Sequence, residues 1–275
     1  MTYERLPRIV AAVFCFNIEQ ENPVGANLVE NANIPGDEQL DDLLVGGRVI
    51  LQKKEGFRYG TDAVALAEFA RVLPEDRVLD LGTGGGILPI LLSLKGGAEF
   101  IGVDIVPELV EMAERSSKLN GLTDRVRFVC ADIKNIADEL PGSRFDVVVT
   151  NPPYKSAGSG IPSKNYNAYI ARHEALLTLE DVIAGAAALL KTGGRFYMIN
   201  RPDRLCDSME LMRKYKIEPK RLRFVHADPE KEPVMFLVCG VKGAGRELIV
   251  EAPQVLGGSG GTVGFLDNKG RECRI

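Results

Sequence analysis

Histidine is scarce: the chain holds two, His173 and His226, far apart and outside any metal-ligand spacing. Caps or surface contacts are their expected roles, and no metal centre is expected. Cysteine is sparse too. The five residues Cys15, Cys130, Cys206, Cys239 and Cys273 are scattered without close pairs. That usage excludes a disulfide-stapled secreted scaffold and fits a reducing, cytoplasmic setting, with Cys130 and Cys239 acting as small hydrophobes inside apolar runs. No apolar stretch is long enough to cross a bilayer. The run Ile9 to Phe16 follows Arg5 and Arg8, but it is short and no small-x-small cleavage site comes after it, so a secretory leader is not expected. An excess of positive charge is also missing. The net charge is −4, so any binding of nucleic acid must come from a local patch.

What is present suits a globular enzyme. The 275 residues are 45% hydrophobic and 26% charged, enough for one large α/β domain or two small ones. Residues 17–39 are rich in Asn, Glu and Gly and lack periodicity, which reads as a linker. The expected organisation is a poorly ordered extension over 1–39, a domain over 40–245, and a glycine-rich tail over 246–275 that includes Gly257 to Gly261.

The chemistry gathers at strand ends. Phe145 to Thr150 reads as a buried strand, and Asn151-Pro152-Pro153-Tyr154 stops it, because proline cannot donate to a ladder. The Asn151 side-chain oxygen and the Pro152 carbonyl can both accept from one NH2 group, while Tyr154 can stack on the attached π-system. Upstream, Val78 to Leu81 is a strand followed by Gly82-Thr83-Gly84-Gly85-Gly86 and a helix from Ile87, with Pro89 tolerable in its first turn. Strand, glycine turn and helix form the geometry of a doubly wound nucleotide site, a pattern that NAD enzymes share. The next strand, Phe100 to Ile105, ends in Asp104, about 20 residues past the loop, where a carboxylate can accept both ribose hydroxyls. A further strand, Val126 to Ile133, ends in Asp132, placed for an adenine amine, with Ile133 over a ring face. Taken singly, each acid is as well explained as a turn cap. In series with the loop and the Pro-Pro corner, they point to a cofactor site.

This order of Asp80-x-Gly82-x-Gly84-x-Gly86, strand-end acids and Asn-Pro-Pro-Tyr resembles S-adenosylmethionine-dependent methyltransferases with a Rossmann-like sheet. The corner resembles the branch that methylates exocyclic or amide nitrogens: adenine in DNA or RNA, and glutamine in release factors. Gln52 and the block from Gly56 to Asp62 are similar to the opening of bacterial tRNA(Val) adenine-N(6)-methyltransferases, as are Ala171-Arg172-His173-Glu174 and Pro219 to His226. The resemblance covers about residues 40–250. It implies an α/β, Rossmann-like, seven-stranded and mostly parallel sheet with helices on both faces, entered through a short N-terminal hairpin and helix. It also implies that Tyr59, Thr61, Asp80, Gly82, Thr83, Gly84, Gly86, Asp104, Ile105, Asp132, Ile133 and Asn151 hold the cofactor. Asn151, Pro152 and Tyr154 are the implied catalytic corner; Pro153, Tyr154, Lys155 and Arg172 the implied substrate contacts; and tRNA the implied partner.

Other stretches read more locally. Val49 to Gln52 and Phe57 to Tyr59 look like the two strands of the hairpin, and Thr61 or Asp62 like the cap of the next helix. Lys155 to Asn167 has the composition of a plain flexible loop or a substrate lid. Leu176 to Leu190 reads as a helix capped near Thr178 and stopped at Gly193-Gly194. Arg195 to Ile199 is the expected fifth strand, and Arg221 to Val225 and Val234 to Val241 close the sheet with one antiparallel strand. Region 201–223 carries eight Lys and Arg residues against Asp203, Asp207, Glu210 and Glu218; it is either an RNA-docking patch or a solvated face of paired charges. The expected activity is methylation of an adenine amine in RNA, in a tRNA anticodon loop. The alternatives are a glutamine methyltransferase, a DNA adenine methyltransferase and a non-catalytic binding protein.

Overall fold

The computed structural model describes residues 34–54, 60–152 and 177–256, together with the short strands β12 (Gly264–Leu266) and β13 (Glu272–Arg274). Strands β3 (Arg77–Leu81), β4 (Glu99–Asp104), β5 (Val126–Cys130), β6 (Phe145–Thr150) and β7 (Leu190–Asn200) run parallel in the order β5-β4-β3-β6-β7. Beyond β7, β9 (Pro233–Lys242) runs antiparallel, with β8 (Ile217–His226) antiparallel to it in turn. The central sheet has nine strands rather than the expected seven. The two extra are β10 (Ile249–Val250) and β11 (Gln254–Val255), which run parallel along the outer edge of β8. Glu251, in the segment between them, ties them down by pairing with Arg221 and, at 2.8 Å, with Arg223 on β8. Four residues of the expected tail thereby belong to the sheet.

Alternation along each strand builds two cores, because successive side chains point to opposite faces. Val78, Phe100, Val147, Val149 and Tyr197 pack under helices α1 (Thr61–Phe69), α2 (Ile87–Leu92) and α3 (Pro107–Leu119). Leu79, Ile101, Val103, Val148 and Phe196 pack on the other face against α4 (Ile136–Glu139), α5 (Leu179–Leu189) and α6 (Leu205–Lys214). Helix α5 begins at Thr178 with a reciprocal capping box to Asp181. It ends before Gly193-Gly194, and the chain turns directly into β7 at Leu190. Three-residue helical turns stand before α4 (Ile133–Asn135) and before α6 (Pro202–Arg204).

The N-terminal hairpin includes an unexpected strand. Strand β2 (Val49–Lys53) pairs antiparallel with β1 (Glu38–Asp42), which precedes it; the expected partner over residues 57–59 lies outside the described residues. The acidic EQLDD sequence of β1 has weak strand propensity. Tertiary contacts supply what propensity lacks: Arg115 on α3 grips buried Glu38 through two bonds of 2.7 and 2.8 Å, and Lys53 reaches it at 3.1 Å. The free edge of β2 is satisfied by side chains of α3. Ser116 Oγ accepts from Leu51 N–H at 3.0 Å; Asn120 Oδ1 accepts from Val49 N–H at 3.0 Å, and its Nδ2 donates to Val49 C=O at 2.7 Å. Residues spaced i, i+4 on one helix face thus stand in for a neighbouring strand.

That dock is testable. Asn120→Ala leaves both Val49 backbone groups without their partner and is expected to cost about 1–3 kcal/mol of stability. A urea midpoint equal to that of the wild type would show that the hairpin is held by its apolar contacts alone.

Candidate functional site

Parallel strands end on one edge, so the loops after β6, β3 and β4 emerge side by side. Cα partners Leu81↔Thr150 and Leu81↔Val103 set Asn151, Gly82 and Asp104 at neighbouring strand tips. The Thr150 hydroxyl donates to Leu81 C=O at 2.8 Å and locks two of those tips together. Strand β3 also has its sequence neighbour β4 on one side and β6 on the other. This is the switch in strand order where doubly wound sheets open a crevice. A cleft opens there, lined by Ile50, Gln52, Thr83, Leu109, Met112 and Asn151 among others, with about 560 Å³ of empty space including its solvent-filled mouth. Strand β2 forms one wall of it.

The glycine loop is built for close approach. Gly82 and Gly84 adopt φ of +78° and +54°, in the left-handed region, and a side chain at either would project into open space. Gly86 serves packing instead: a methyl there would fall 2.8 Å from the Phe128 ring. Gly82 and Thr83 N–H both donate to Val103 C=O at 2.9 Å, and Gly84 N–H donates to Asp104 Oδ2 at 2.8 Å. Asp104 Oδ1 accepts from Val106 N–H at 3.0 Å. Burial still raises the Asp104 carboxyl above the ordinary range, because desolvation outweighs those backbone donors.

Asp80 is more extreme. It is 1% exposed, and neither carboxylate oxygen has a hydrogen-bond partner among the described residues; nor has the buried Thr83 hydroxyl. Burial is the main force that pushes the Asp80 carboxyl up to about 7, and the charge of Asp104 adds to it. Thr83 tempers the shift without making a bond of ordinary geometry. Unsatisfied buried polar atoms are rare, and each calls for an explanation. Three of them stand beside the two open glycine positions; Thr83 lines the cleft and Asp80 lies beneath it.

The structure gathers Gly82, Thr83, Gly84 and Asn151 around the cleft, with Asp104 behind the loop. Thr61 is the first residue of α1, but the N-cap is Gly60, with no side-chain capping bond. Asp132 caps the short turn before α4, its Oδ1 accepting from Lys134 N–H at 2.9 Å. Ile133 is buried in the core near α5, and Ile105 packs beside Leu109 and Met112. Pro152 is buried. Tyr59, Pro153, Tyr154, Lys155 and Arg172 lie outside the described residues. Sequence reasoning missed Ile50, Leu51, Leu109 and Met112 as lining residues. The signal available was the apolar i, i+3 pair at the start of α3.

The charges of region 201–223 are largely paired. Arg201 meets Asp203 at 3.3 Å, Arg204 meets Asp207 at 3.1 Å, Arg213 meets Glu218 at 2.8 Å and Arg223 meets Glu68 at 3.2 Å. Lys214 is held by Glu180. This is the solvated, paired face rather than an open row of cations. Among the described residues no helix is long and apolar enough to cross a membrane, and no three His, Cys, Asp or Glu side chains cluster as metal ligands.

The fold and the open glycine loop are those of a Rossmann-like nucleotide site, and residues 73–238 match the family described as methyltransferase domain, which makes the chain a Rossmann-like methyltransferase. A solved structure of a predicted O-methyltransferase from Agrobacterium tumefaciens shares the fold, with a TM-score of 0.56 at 23% identity over 72% of this chain and 89% of that one. So does the T. thermophilus 16S rRNA N2 G1207 methyltransferase in complex with AdoMet and guanosine, with a TM-score of 0.52 at 20% identity over 76% of this chain and 51% of that one. Among curated proteins, the tRNA1(Val) (adenine(37)-N6)-methyltransferase of Porphyromonas gingivalis is 33% identical over 66% of this chain and 72% of its own length. That of Phocaeicola vulgatus is 31% identical over 66% and 75%. The chain belongs to this family, and is an S-adenosylmethionine-dependent methyltransferase.

The titration of Asp80 yields a sign-specific prediction. Its folded pKa of about 7 lies above the unfolded value of 3.8, so the folded apoprotein favours the protonated acid. Stability is lost as pH rises from about 4 through 7, by up to roughly 4 kcal/mol. Asp80→Asn removes that loss, so the melting temperature of the variant should exceed that of the wild type at pH 8 and match it more closely at pH 5. A difference independent of pH would show that Asp80 is ionised at no cost.

Proposed function

We propose that this enzyme transfers a methyl group to the exocyclic amine of an adenine in a tRNA anticodon loop. The observation that carries the reading is Asn151, held at the β6 tip in the same cleft as the open glycine loop. The names of the curated relatives support adenine N6 of tRNA1(Val) as the first substrate to test.

S-adenosylmethionine, when bound, supplies an electrophilic methyl on a sulfonium sulfur. The residues of this chain hold and orient. Gly82 and Gly84 leave room along the loop, Asp80 and Thr83 offer acceptors for a cationic group, and Asp104 stands at the strand tip suited to ribose hydroxyls. Asp132 lies at the next strand tip on the adenine side. The Asn151 side-chain oxygen and the Pro152 carbonyl accept from the substrate NH2, which favours a more tetrahedral nitrogen and frees its lone pair from the ring. No strong base is required for that. Tyr154 stacks on the target base, worth about 1–3 kcal/mol, and Pro153, Lys155 and Arg172 complete the substrate side. An adenine in a single-stranded loop is cheaper to unstack than one in a duplex, which favours an anticodon loop over DNA.

Two substitutions separate the roles. Asn151→Ala is expected to abolish turnover on a tRNA pool with labelled cofactor while calorimetry finds cofactor affinity largely kept; retained turnover would remove Asn151 from the mechanism. Asp104→Ala should weaken the cofactor at least tenfold, and an unchanged Kd would dismiss that assignment. Parallel incubations with DNA and with a release factor test the substrate class, since labelling of either in place of tRNA would replace the reading.

A further inference from the structure

Asn151 enters the cleft with its amide already oriented by a residue 89 positions earlier in the chain. Its Nδ2 donates to Asp62 Oδ2 at 3.1 Å. The carboxylate is itself held from behind. Asp62 Oδ1 accepts from Ala63 N–H at 2.9 Å in the first turn of α1. Gly60, the N-cap, leaves the space it occupies: a methyl there would fall 2.6 Å from Asp62 Oδ1, although the φ of −108° at Gly60 would admit any residue. The two oxygens of Asp62 therefore serve two different donors, one on the backbone of α1 and one on the corner after β6.

This matters because the two ends of an amide match in shape and oppose in hydrogen-bond sense. With Nδ2 turned to Asp62, the end presented elsewhere is Oδ1, an acceptor. Turned the other way, Asn151 would offer donors to a substrate NH2, which also donates. A carboxylate cannot donate to Oδ1, so Asp62 accepts one orientation and repels the other. We propose that Asp62 is a positioning residue for methyl transfer, fixing the Asn151 amide so that its oxygen meets the substrate amine. The inference rests on the reading of Asn151 given above. Asp62 touches neither reacting atom in this role; it acts through Asn151.

The geometry makes Asp62→Asn an informative variant. Both Ala63 N–H and Asn151 Nδ2 require an acceptor, and the introduced amide supplies one oxygen only. Its nitrogen then faces another donor, and the Asn151 amide is driven to flip. Pairing Asp62→Asn with Asn151→Asp restores the pattern. The introduced amide accepts from Ala63 N–H and donates to the introduced carboxylate, whose second oxygen again faces the substrate as an acceptor. Asn151→Asp alone instead sets two carboxylates in contact, and the pair then shares a proton near neutral pH.

The test measures kcat on a tRNA pool, cofactor Kd by calorimetry and melting temperature for both single variants, the double variant and Gly60→Ala. Asp62→Asn should lower kcat about 10- to 100-fold, the scale of a small misplacement at a reacting centre, with cofactor Kd and melting temperature little changed. The double variant should recover at least tenfold over Asp62→Asn, which a purely structural role for Asp62 would not produce. Gly60→Ala should lower kcat in the same direction. Wild-type kcat in Asp62→Asn, or a double variant no more active than Asp62→Asn while Asn151→Ala is inactive, overturns the positioning role alone. Full activity in Asn151→Ala overturns the reading of Asn151 and this inference with it.

Discussion

The parallel register of β6, β3 and β4 is the constraint on which the site depends. It places the residue after Thr150, the glycine after Leu81 and Asp104 at one sheet edge, although they are far apart in sequence. A strand advances about 3.3 Å per residue, so a slip of two residues in β6 would preserve its buried face and still carry Asn151 roughly 7 Å from the loop. Apolar alternation cannot guard against such a slip, because Val147 and Val149 are interchangeable to the core. The Thr150 hydroxyl on Leu81 C=O can, since it exists in one register only. The corner is pinned to β3 by that bond and to α1 by Asp62.

Polar groups without partners collect where the strands end. Asp80 lies on a strand otherwise made of core residues, on the face it shares with Val78, and it points into the same crowded layer as Gly102 and Thr83. A leucine there would pack and stabilise; a carboxylate with no donor does the reverse. Such a violation of polar satisfaction, in a chain whose strands otherwise follow their pattern, is what the proposed ligand role of Asp80 would account for. The unpaired Thr83 hydroxyl and the open space at Gly82 and Gly84 lead to the same conclusion from different chemistry.

Much of this was legible because strand-end residues announce themselves. The valine run before Asn151 and the glycines after Leu81 predicted both strand tips and the helix between them. What escaped the sequence were elements stabilised from outside. Strand β1 reads as acidic and polar, and only Arg115, Lys53 and the packing of Leu40 against the α3 side make it a strand. Strands β10 and β11 are two residues each, too short for any periodicity, and depend on Glu251 bridging two arginines of β8. Gly193-Gly194 was legible as a break, but it bends the start of β7 rather than ending α5. Asp62 looked like a helix cap because its type and position suit one. Its second oxygen is spent on a residue that local sequence cannot reveal.

An amide at the corner, with a carboxylate one hydrogen bond behind it, suits what an adenine amine would need on the proposed reading. Its lone pair is delocalised into the ring, so the nitrogen must be made more nucleophilic without being stripped of a proton. A carboxylate in direct contact could accept from the amine in the same way, but it adds a charge beside the cofactor that the reaction does not need. A neutral oxygen accepts from the N–H and asks for no proton. The negative charge of Asp62, one bond removed, still strengthens that acceptor, because hydrogen bonds in a chain polarise one another. On the proposed reading, distance separates two functions that a single carboxylate would confuse: Asp62 would supply the electron density and the orientation, and Asn151 would deliver them to the amine.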